Sequence, residues 1–148
     1  MPIAHSNAEA TWSGDLTGGS GSVRPGSGAF HDLPISWSRR TQRAQGGTSP
    51  EELIASAHAA CFSMAFSNEL AKLGHPPERV DVAASVAFET GRADGAAITA
   101  VDLVARARVP GIAAAAFDAA AEAARSGCPV SKALTGVEIR LQASLENG

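Results

Sequence analysis

Residues 49–74 constrain this chain most, because they specify where a long helix begins and ends. Ser49 is a favourable N-cap, Pro50 suits the first helical position, and Glu52 completes a capping box. Gly74 supplies a left-handed residue at the other end, and the prolines that follow cannot continue a helix. The positions between these caps are apolar on nearly every side. We therefore predict a helix that is buried on most of its faces.

Length and composition predict an ordinary globular protein. The 148 residues suit a single domain, residues 1–148, and the 45% hydrophobic and 18% charged fractions are typical of this class. A formal net charge of -3, with no basic run interleaved with aromatics, argues against nucleic acid as a partner. The longest apolar stretch is interrupted by polar residues and no leader pattern is visible, so we expect a cytoplasmic protein without membrane association.

Three strands are predicted before the central helix. Residues 9–12, 18–23 and 33–43 are separated by turns that contain glycine. In the third strand, alternation would place Arg39 on one face and Arg40 on the other. This strand would lead directly into the helix, which brings both arginines close to its start.

The remainder of the chain predicts a hairpin, two helical segments and a final strand. Residues 80–88 and 101–109 alternate between apolar and polar positions, an alanine-rich helix spans 112–126, a short helical turn covers 129–134, and residues 137–145 form the last strand. The order βββ-α-ββ-α-β indicates an α+β fold with antiparallel strands around a long buried central helix. A helix that is apolar on nearly all of its faces has more apolar surface than one sheet can bury, which favours a homodimer.

The chain has two cysteines. Cys61 lies inside the central helix, and Cys128 stands between the two later helical segments. In a reducing compartment such a pair is more often catalytic or redox-sensing than structural. The simplest alternative is that Cys61 is a small core residue, since burial raises the pKa of a thiol and leaves it inert. Cys128 could likewise be a small N-cap residue before Pro129.

A nucleophilic Cys61 would need a positive neighbour. Either Arg39 or Arg40 could supply a permanently charged guanidinium. An arginine near a core needs a counterion, and Glu51 is available because Glu52 already serves the helix cap. The residues thus predict a network of glutamate, arginine and cysteine.

His58 suggests a metal site as another possibility. His58 and Cys61 are three residues apart and would share one face of the helix. Two ligands are too few for a closed zinc site, and no CxxC or HxxxH pattern supplies the others. We expect no metal and no cofactor.

Two motifs carry a family resemblance. SPEELIASAHAACFSMAF and the downstream SGCPVSKAL resemble the OsmC/Ohr family of cysteine-based organic hydroperoxide reductases. The resemblance covers nearly the whole chain. The histidine within HAAC and the wording CPVSKAL are more similar to the OsmC branch than to the Ohr branch.

The resemblance implies a role for each site residue. Cys61 matches the attacking cysteine, Cys128 the resolving cysteine, and Glu51 the carboxylate that pairs with a catalytic arginine. Arg40 follows an aromatic residue as that arginine does in the family, and Arg39 is the alternative. The family fold is an interwoven homodimer with two sites at its interface.

The resemblance also implies a reaction. Cys61 would attack an organic hydroperoxide, release an alcohol and become a sulfenic acid, which Cys128 would convert to a disulfide. A dithiol partner, either a lipoylated protein or a thioredoxin-like protein, would restore both thiols. A non-catalytic dimeric module of the same fold, binding a small apolar ligand, is the alternative.

Overall fold

The computed structural model of the chain describes residues 2–43 and 46–146. It divides into two compact units, residues 1–53 and residues 54–148, which are described in turn. No helix in the described ranges is both long enough and apolar enough to cross a membrane. That the whole chain is one domain stays a prediction.

The first unit contains an antiparallel sheet of three strands. β1 (Ala8–Ser13) pairs with β2 (Ser20–Pro25), and β2 pairs with β3 (Leu33–Ile35). Glycines at the turns allow the chain to reverse between strands, and Gly14 has a φ of +93°. The three predicted strands are present, but the third is much shorter than expected.

The prediction of one strand over residues 33–43 is wrong. A short helix, α1 (Trp37–Thr41), follows β3 after a single residue. Ser36 has an extended backbone and its hydroxyl accepts a hydrogen bond from the N–H of Arg39 at 3.2 Å, so it acts as an N-cap. Arg39 and Arg40 therefore lie on a helix, where successive side chains diverge by about 100° rather than alternating across a strand.

The long helix α2 (Pro50–Lys72) begins and ends where the sequence predicts. The Ser49 hydroxyl accepts a hydrogen bond from the N–H of Glu52 at 3.1 Å, as in a capping box. The Glu52 carboxylate also accepts a hydrogen bond from Arg43 at 3.0 Å. Gly74 has a φ of +83°, which provides the left-handed turn at the C-terminus.

From residue 54 onward, burial on α2 is confined to one row of side chains. His58, Phe62, Phe66 and Leu70 are all 0% exposed and are spaced four residues apart, so they lie on one face. Met64, on another face, is 73% exposed. Burial on most faces is therefore wrong for a single copy of the chain, although the apolar character of the exposed faces is as predicted.

The second unit contains a mixed sheet. β4 (Arg79–Glu89) and β5 (Ala97–Arg108) form the predicted antiparallel hairpin, but β6 (Glu138–Leu145) pairs with β5 in parallel. The expectation of antiparallel strands throughout is thus wrong for the last strand. The chain leaves β5 and returns through two helices, and a crossover of that kind allows parallel pairing.

Helices α3 (Ala114–Gly127) and α4 (Pro129–Ala133) form this crossover, close to their predicted positions. The apolar face of α3 is buried, and Phe117 packs edge-on against Phe66 with ring centroids 5.3 Å apart. Cys128 is the single residue between α3 and α4, where it is both the C-cap of one helix and the N-cap of the other. The core thus fixes the position of Cys128 relative to α2.

The N-terminal cap of α2 gives a test of stability. Replacing Ser49 with alanine removes the acceptor for the Glu52 N–H, and we expect the free energy of unfolding to fall by about 1 kcal/mol. Ser49→Thr is the matched control, because threonine keeps a hydroxyl acceptor at the N-cap and should retain most of the stability. Chemical denaturation of both variants measures the difference. Equal losses would show that the cap is not the source of stability at this position.

Candidate active site

Two free thiols meet inside the second unit. The Sγ atoms of Cys61 and Cys128 are 3.0 Å apart, although the residues are 67 positions apart in sequence. Cys61 is half-buried on α2, and Cys128 is 0% exposed between α3 and α4. The predicted pair of cysteines is therefore brought together at a distance from which a disulfide needs only a small movement.

A cleft of about 540 Å³ opens beside Cys61. Its wall combines apolar groups with charged ones, among them Met64, Glu69 and Lys132. The fully buried Cys128 lies behind Cys61. A small molecule that enters the cleft therefore meets the Cys61 sulfur first.

Each thiol affects the ionisation of the other, and the pKa values of the two are shifted in opposite directions. Burial raises the pKa of Cys61, and its hydrogen bond with Cys128 raises it further. A hydrogen bond from the backbone N–H of Val130 lowers this pKa, but by less. Burial also acts to raise the pKa of Cys128, but hydrogen bonds from Cys61 and from the N–H and hydroxyl of Ser131 outweigh it and lower this pKa. These surroundings favour ionisation of Cys128 over ionisation of Cys61.

His58 and Ser131 form a buried hydrogen bond beside the cysteines. The Nε2 atom of His58 lies 2.7 Å from the Ser131 hydroxyl, and both side chains are buried. Burial lowers the pKa of His58, so the imidazole is neutral at physiological pH. Sequence analysis did not find Ser131, and no local pattern could have found it because its partner is 73 residues away.

A metal site at His58 and Cys61 gains no support. Within residues 2–43 and 46–146, no group of three or more His, Cys, Asp or Glu side chains could hold an ion. His58 instead faces a serine hydroxyl, which is a poor metal ligand.

The first unit contains the predicted pairing of arginine and glutamate. Nε and one terminal nitrogen of Arg40 each lie 2.8 Å from Oε1 of Glu51. The Glu51 side chain is only 6% exposed, and its second oxygen, Oε2, has no hydrogen-bond partner among the described residues. Because the Glu51 carboxylate is buried, loss of Arg40 would leave it without a counterion, which costs more than breaking a surface ion pair.

Arg39 contacts different groups from those that Arg40 contacts. Its Nε donates to the carbonyl of Gly46 at 2.6 Å, and one terminal nitrogen reaches the Ser36 hydroxyl at 3.3 Å. Of the two candidate arginines, Arg40 is therefore the one that contacts Glu51.

An apolar pocket lies beside Arg40 within the first unit. It has a volume of about 300 Å³ and is lined largely by Trp12, Leu16, Ile35 and Trp37. Arg40 supplies the charged group in this otherwise apolar wall. The sequence did not indicate this pocket, because its aromatic and aliphatic walls come from β1, the turn after it, β3 and α1.

Known proteins resemble this chain over almost its entire length. The family described as OsmC-like protein matches residues 43–142. The peroxiredoxin OsmC of Escherichia coli strain K12 is 41% identical over 143 residues, which is 97% of this chain and 98% of that protein.

Solved structures share the fold. An organic hydroperoxide resistance protein OsmC from Legionella pneumophila superposes with a TM-score of 0.74 at 24% identity, covering 97% of this chain and 99% of that one. The organic hydroperoxide resistance protein OhrB of Bacillus subtilis gives a TM-score of 0.72 at 26% identity, with 93% and 98% covered.

These similarities agree with the site geometry. The relation to a peroxiredoxin and the close approach of two free thiols confirm the prediction of a thiol-dependent peroxidase. The α+β architecture with two small sheets and a long helix is confirmed as well. The chain belongs to the OsmC family.

Proposed function

We propose that this protein reduces organic hydroperoxides, with Cys61 as the attacking thiol and Cys128 as the resolving thiol. The observation that carries the proposal is the 3.0 Å separation of two free sulfurs. The Cys61 thiolate attacks the terminal oxygen of ROOH, the O–O bond breaks, and the alkoxide leaves as an alcohol after taking a proton. The Cys61 sulfenic acid then condenses with Cys128 to give a disulfide and water.

Accessibility supports Cys61 as the attacking residue. Cys61 borders the cleft, whereas Cys128 is completely buried. A hydroperoxide must reach the attacking sulfur from solvent, but the resolving sulfur needs to reach only its partner. This division of roles also agrees with the family resemblance.

Ionisation of Cys61 requires help from a cation, because burial and Cys128 both raise its pKa. We assign this task to Arg40, whose guanidinium is permanently charged and is held by the buried Glu51. The contact of Arg40 with Glu51, and the separate contacts of Arg39, support this choice.

The apolar pocket beside Arg40 supports an organic substrate. Its walls of tryptophan, leucine and isoleucine would bind a hydrocarbon group favourably, and hydrogen peroxide has no such group. An arginine at the edge of an apolar wall would leave the peroxide end of the substrate close to a positive charge.

The site is proposed to be shared between two copies of the chain. Ten residues of helix separate Glu51 from Cys61, which corresponds to a rise of about 15 Å, and the two side chains leave the helix about 80° apart. The apolar surface that α2 leaves exposed, including Met64, would be covered by a second copy. A two-fold axis beside α2 would then bring Arg40 and Glu51 of one copy to Cys61 of the other.

The oxidised enzyme needs two electrons to regenerate its thiols. A dithiol supplies both, because one of its thiolates attacks the disulfide and the other resolves the mixed disulfide. A lipoylated protein or a thioredoxin-like protein fits this chemistry.

The cysteine roles predict different outcomes for two variants. Cys61→Ser should abolish hydroperoxide reduction. Cys128→Ser should consume about one equivalent of an organic hydroperoxide and then stop with Cys61 oxidised, because nothing resolves the sulfenic acid. Thiol counting and intact mass measure both. In the wild type, loss of both thiols on adding one equivalent is expected. Retention of both thiols would favour a non-catalytic module.

The arginine and glutamate roles are tested with their sequence neighbours as controls. Arg40→Lys keeps the charge but loses the planar fork, so the rate constant for hydroperoxide attack should fall roughly tenfold or more. Arg39→Lys should leave it close to the wild-type value. Glu51→Gln should also slow attack, whereas its neighbour Glu52→Gln should affect mainly stability. A slow Arg39→Lys beside an unaffected Arg40→Lys would reverse the assignment.

Complementation tests the shared site. Glu51→Ala and Cys61→Ser are each expected to be inactive. Random exchange of their subunits makes half of the dimers mixed, and each mixed dimer would hold one site with both native residues, so about a quarter of the wild-type rate should return. Native mass spectrometry checks that mixed dimers form. If they form and no activity returns, each site lies within one chain.

A further inference from the structure

His58 is a buried ionisable group that the proposed mechanism does not use. Its side chain is 0% exposed, and its Nε2 atom lies 2.7 Å from the hydroxyl of Ser131. The other ring nitrogen, Nδ1, is also buried and has no hydrogen-bond partner among the described residues. The bond to Ser131 is therefore the contact that offsets the cost of burying the imidazole.

His58 and Ser131 stand in the same relation to the two cysteines. His58 precedes Cys61 by three residues on α2, and Ser131 follows Cys128 by three residues in α4. Residues three apart on a helix lie on one face, and an N-cap residue lies beside the third residue of its helix. Two adjacent contacts therefore join α2 to the α4 segment, one between the sulfurs at 3.0 Å and one between His58 and Ser131.

The α4 segment depends on such contacts for its position. It has five residues, far fewer than an isolated helix needs to be stable. Ser131 is the buried residue within α4, and Cys128, its N-cap, is 0% exposed. The carbonyl of Cys128 accepts a hydrogen bond from the N–H of Lys132 at 3.0 Å, so the backbone of Cys128 is fastened to α4. A displacement of α4 from α2 would therefore carry Cys128 with it.

Resting on the proposed function, we propose that His58 and Ser131 are positioning residues whose hydrogen bond holds α4 against α2 and keeps the Cys128 sulfur within reach of Cys61. The step that they serve is the attack of the Cys128 thiolate on the Cys61 sulfenic acid. In this step the S–S bond forms, the S–O bond breaks, and the departing hydroxide takes a proton and leaves as water. Holding two reacting groups together raises their effective concentration, so the pair favours the disulfide.

The reduction potential of the two cysteines separates this role from simple stabilisation. A hydrogen bond that stabilises the dithiol and the disulfide forms equally leaves the potential unchanged, however much stability it adds. A bond that positions the sulfurs acts differently, because without it α4 can move away from α2 only while no covalent bond joins the sulfurs. Loss of the bond between His58 and Ser131 should therefore raise the potential, which makes the disulfide easier to reduce.

Equilibration of the full chain with mixtures of reduced and oxidised glutathione measures this potential, and alkylation of free thiols gives the disulfide fraction. Ser131→Ala should lower the equilibrium constant for disulfide formation roughly tenfold, which corresponds to a rise of about 30 mV. His58→Leu should have a similar effect, and His58→Gln, which keeps an N–H near the position of Nε2, should restore most of it. Ser126→Ala is the matched control and should leave the potential unchanged, because the Ser126 hydroxyl bonds to carbonyls of its own helix.

The double variant tests whether the two residues act as one pair. Ser131→Ala combined with His58→Leu should shift the potential no more than either change alone, because both remove the same bond. Unchanged potentials in the single variants, or additive shifts in the double variant, would overturn the proposal. If His58→Leu does not fold, the comparison of Ser131→Ala with Ser126→Ala still decides the question.

The outcome is distinguishable from a failure of the proposed function, because glutathione replaces the hydroperoxide as the oxidant. A wild-type chain that forms the disulfide with oxidised glutathione but keeps both thiols in the presence of a hydroperoxide would contradict the proposed function. The shifts in potential would still report whether His58 and Ser131 position the two sulfurs.

Discussion

The contact between the sulfurs of Cys61 and Cys128 is the interaction on which the other features of this protein depend. It joins the middle of α2 to the junction between α3 and α4, two places that are 67 residues apart in sequence. The row of buried side chains on α2 and the edge-on packing of Phe66 against Phe117 hold these elements in register. Because a close-packed core resists displacement, the sulfurs remain within reach of each other while each is still a thiol.

The burial that brings the sulfurs together also disfavours their thiolate forms. The groups around the two cysteines offset this effect to different extents. Cys128 is surrounded by polar groups at the start of α4, and these lower its pKa despite complete burial. The Cys61 sulfur receives little stabilisation beyond a hydrogen bond from one backbone N–H, so its pKa is raised. Under the proposed roles, residues 54–146 would support the resolving thiol by themselves, while the attacking thiol would need a cation. The buried pairing of Arg40 with Glu51 is the contact that we propose for this need.

Much of the fold could be predicted because its signals are local. The caps of α2, the alternation in the β4–β5 hairpin and the Gly-Cys-Pro break between α3 and α4 each act over a few residues. The predicted third strand is too long because Ile35 and Trp37 alternate as strand residues do, whereas in the structure Ser36 caps a short helix. The parallel pairing of β6 could not be predicted, since it is decided by where the crossover helices return the chain.

Among the site residues, too, contacts between distant parts of the chain could not be predicted. The family resemblance favours Arg40 over Arg39, and the contacts that distinguish the two in the structure, with Glu51 and with Gly46, could not be predicted from alternation along the chain. His58 is more instructive, because a histidine three residues from a cysteine on one helix is equally consistent with a metal ligand and with a hydrogen-bond donor.

The group that faces His58 distinguishes a metal ligand from a hydrogen-bond donor. In this structure that group is the Ser131 hydroxyl. A metal ion would deprotonate the thiol outright but would also occupy the sulfur lone pair that must attack. Since His58 is hydrogen-bonded to the Ser131 hydroxyl, its ring leaves both sulfurs available for reaction. Cys128 therefore remains free to move from a 3.0 Å contact into a covalent bond with Cys61.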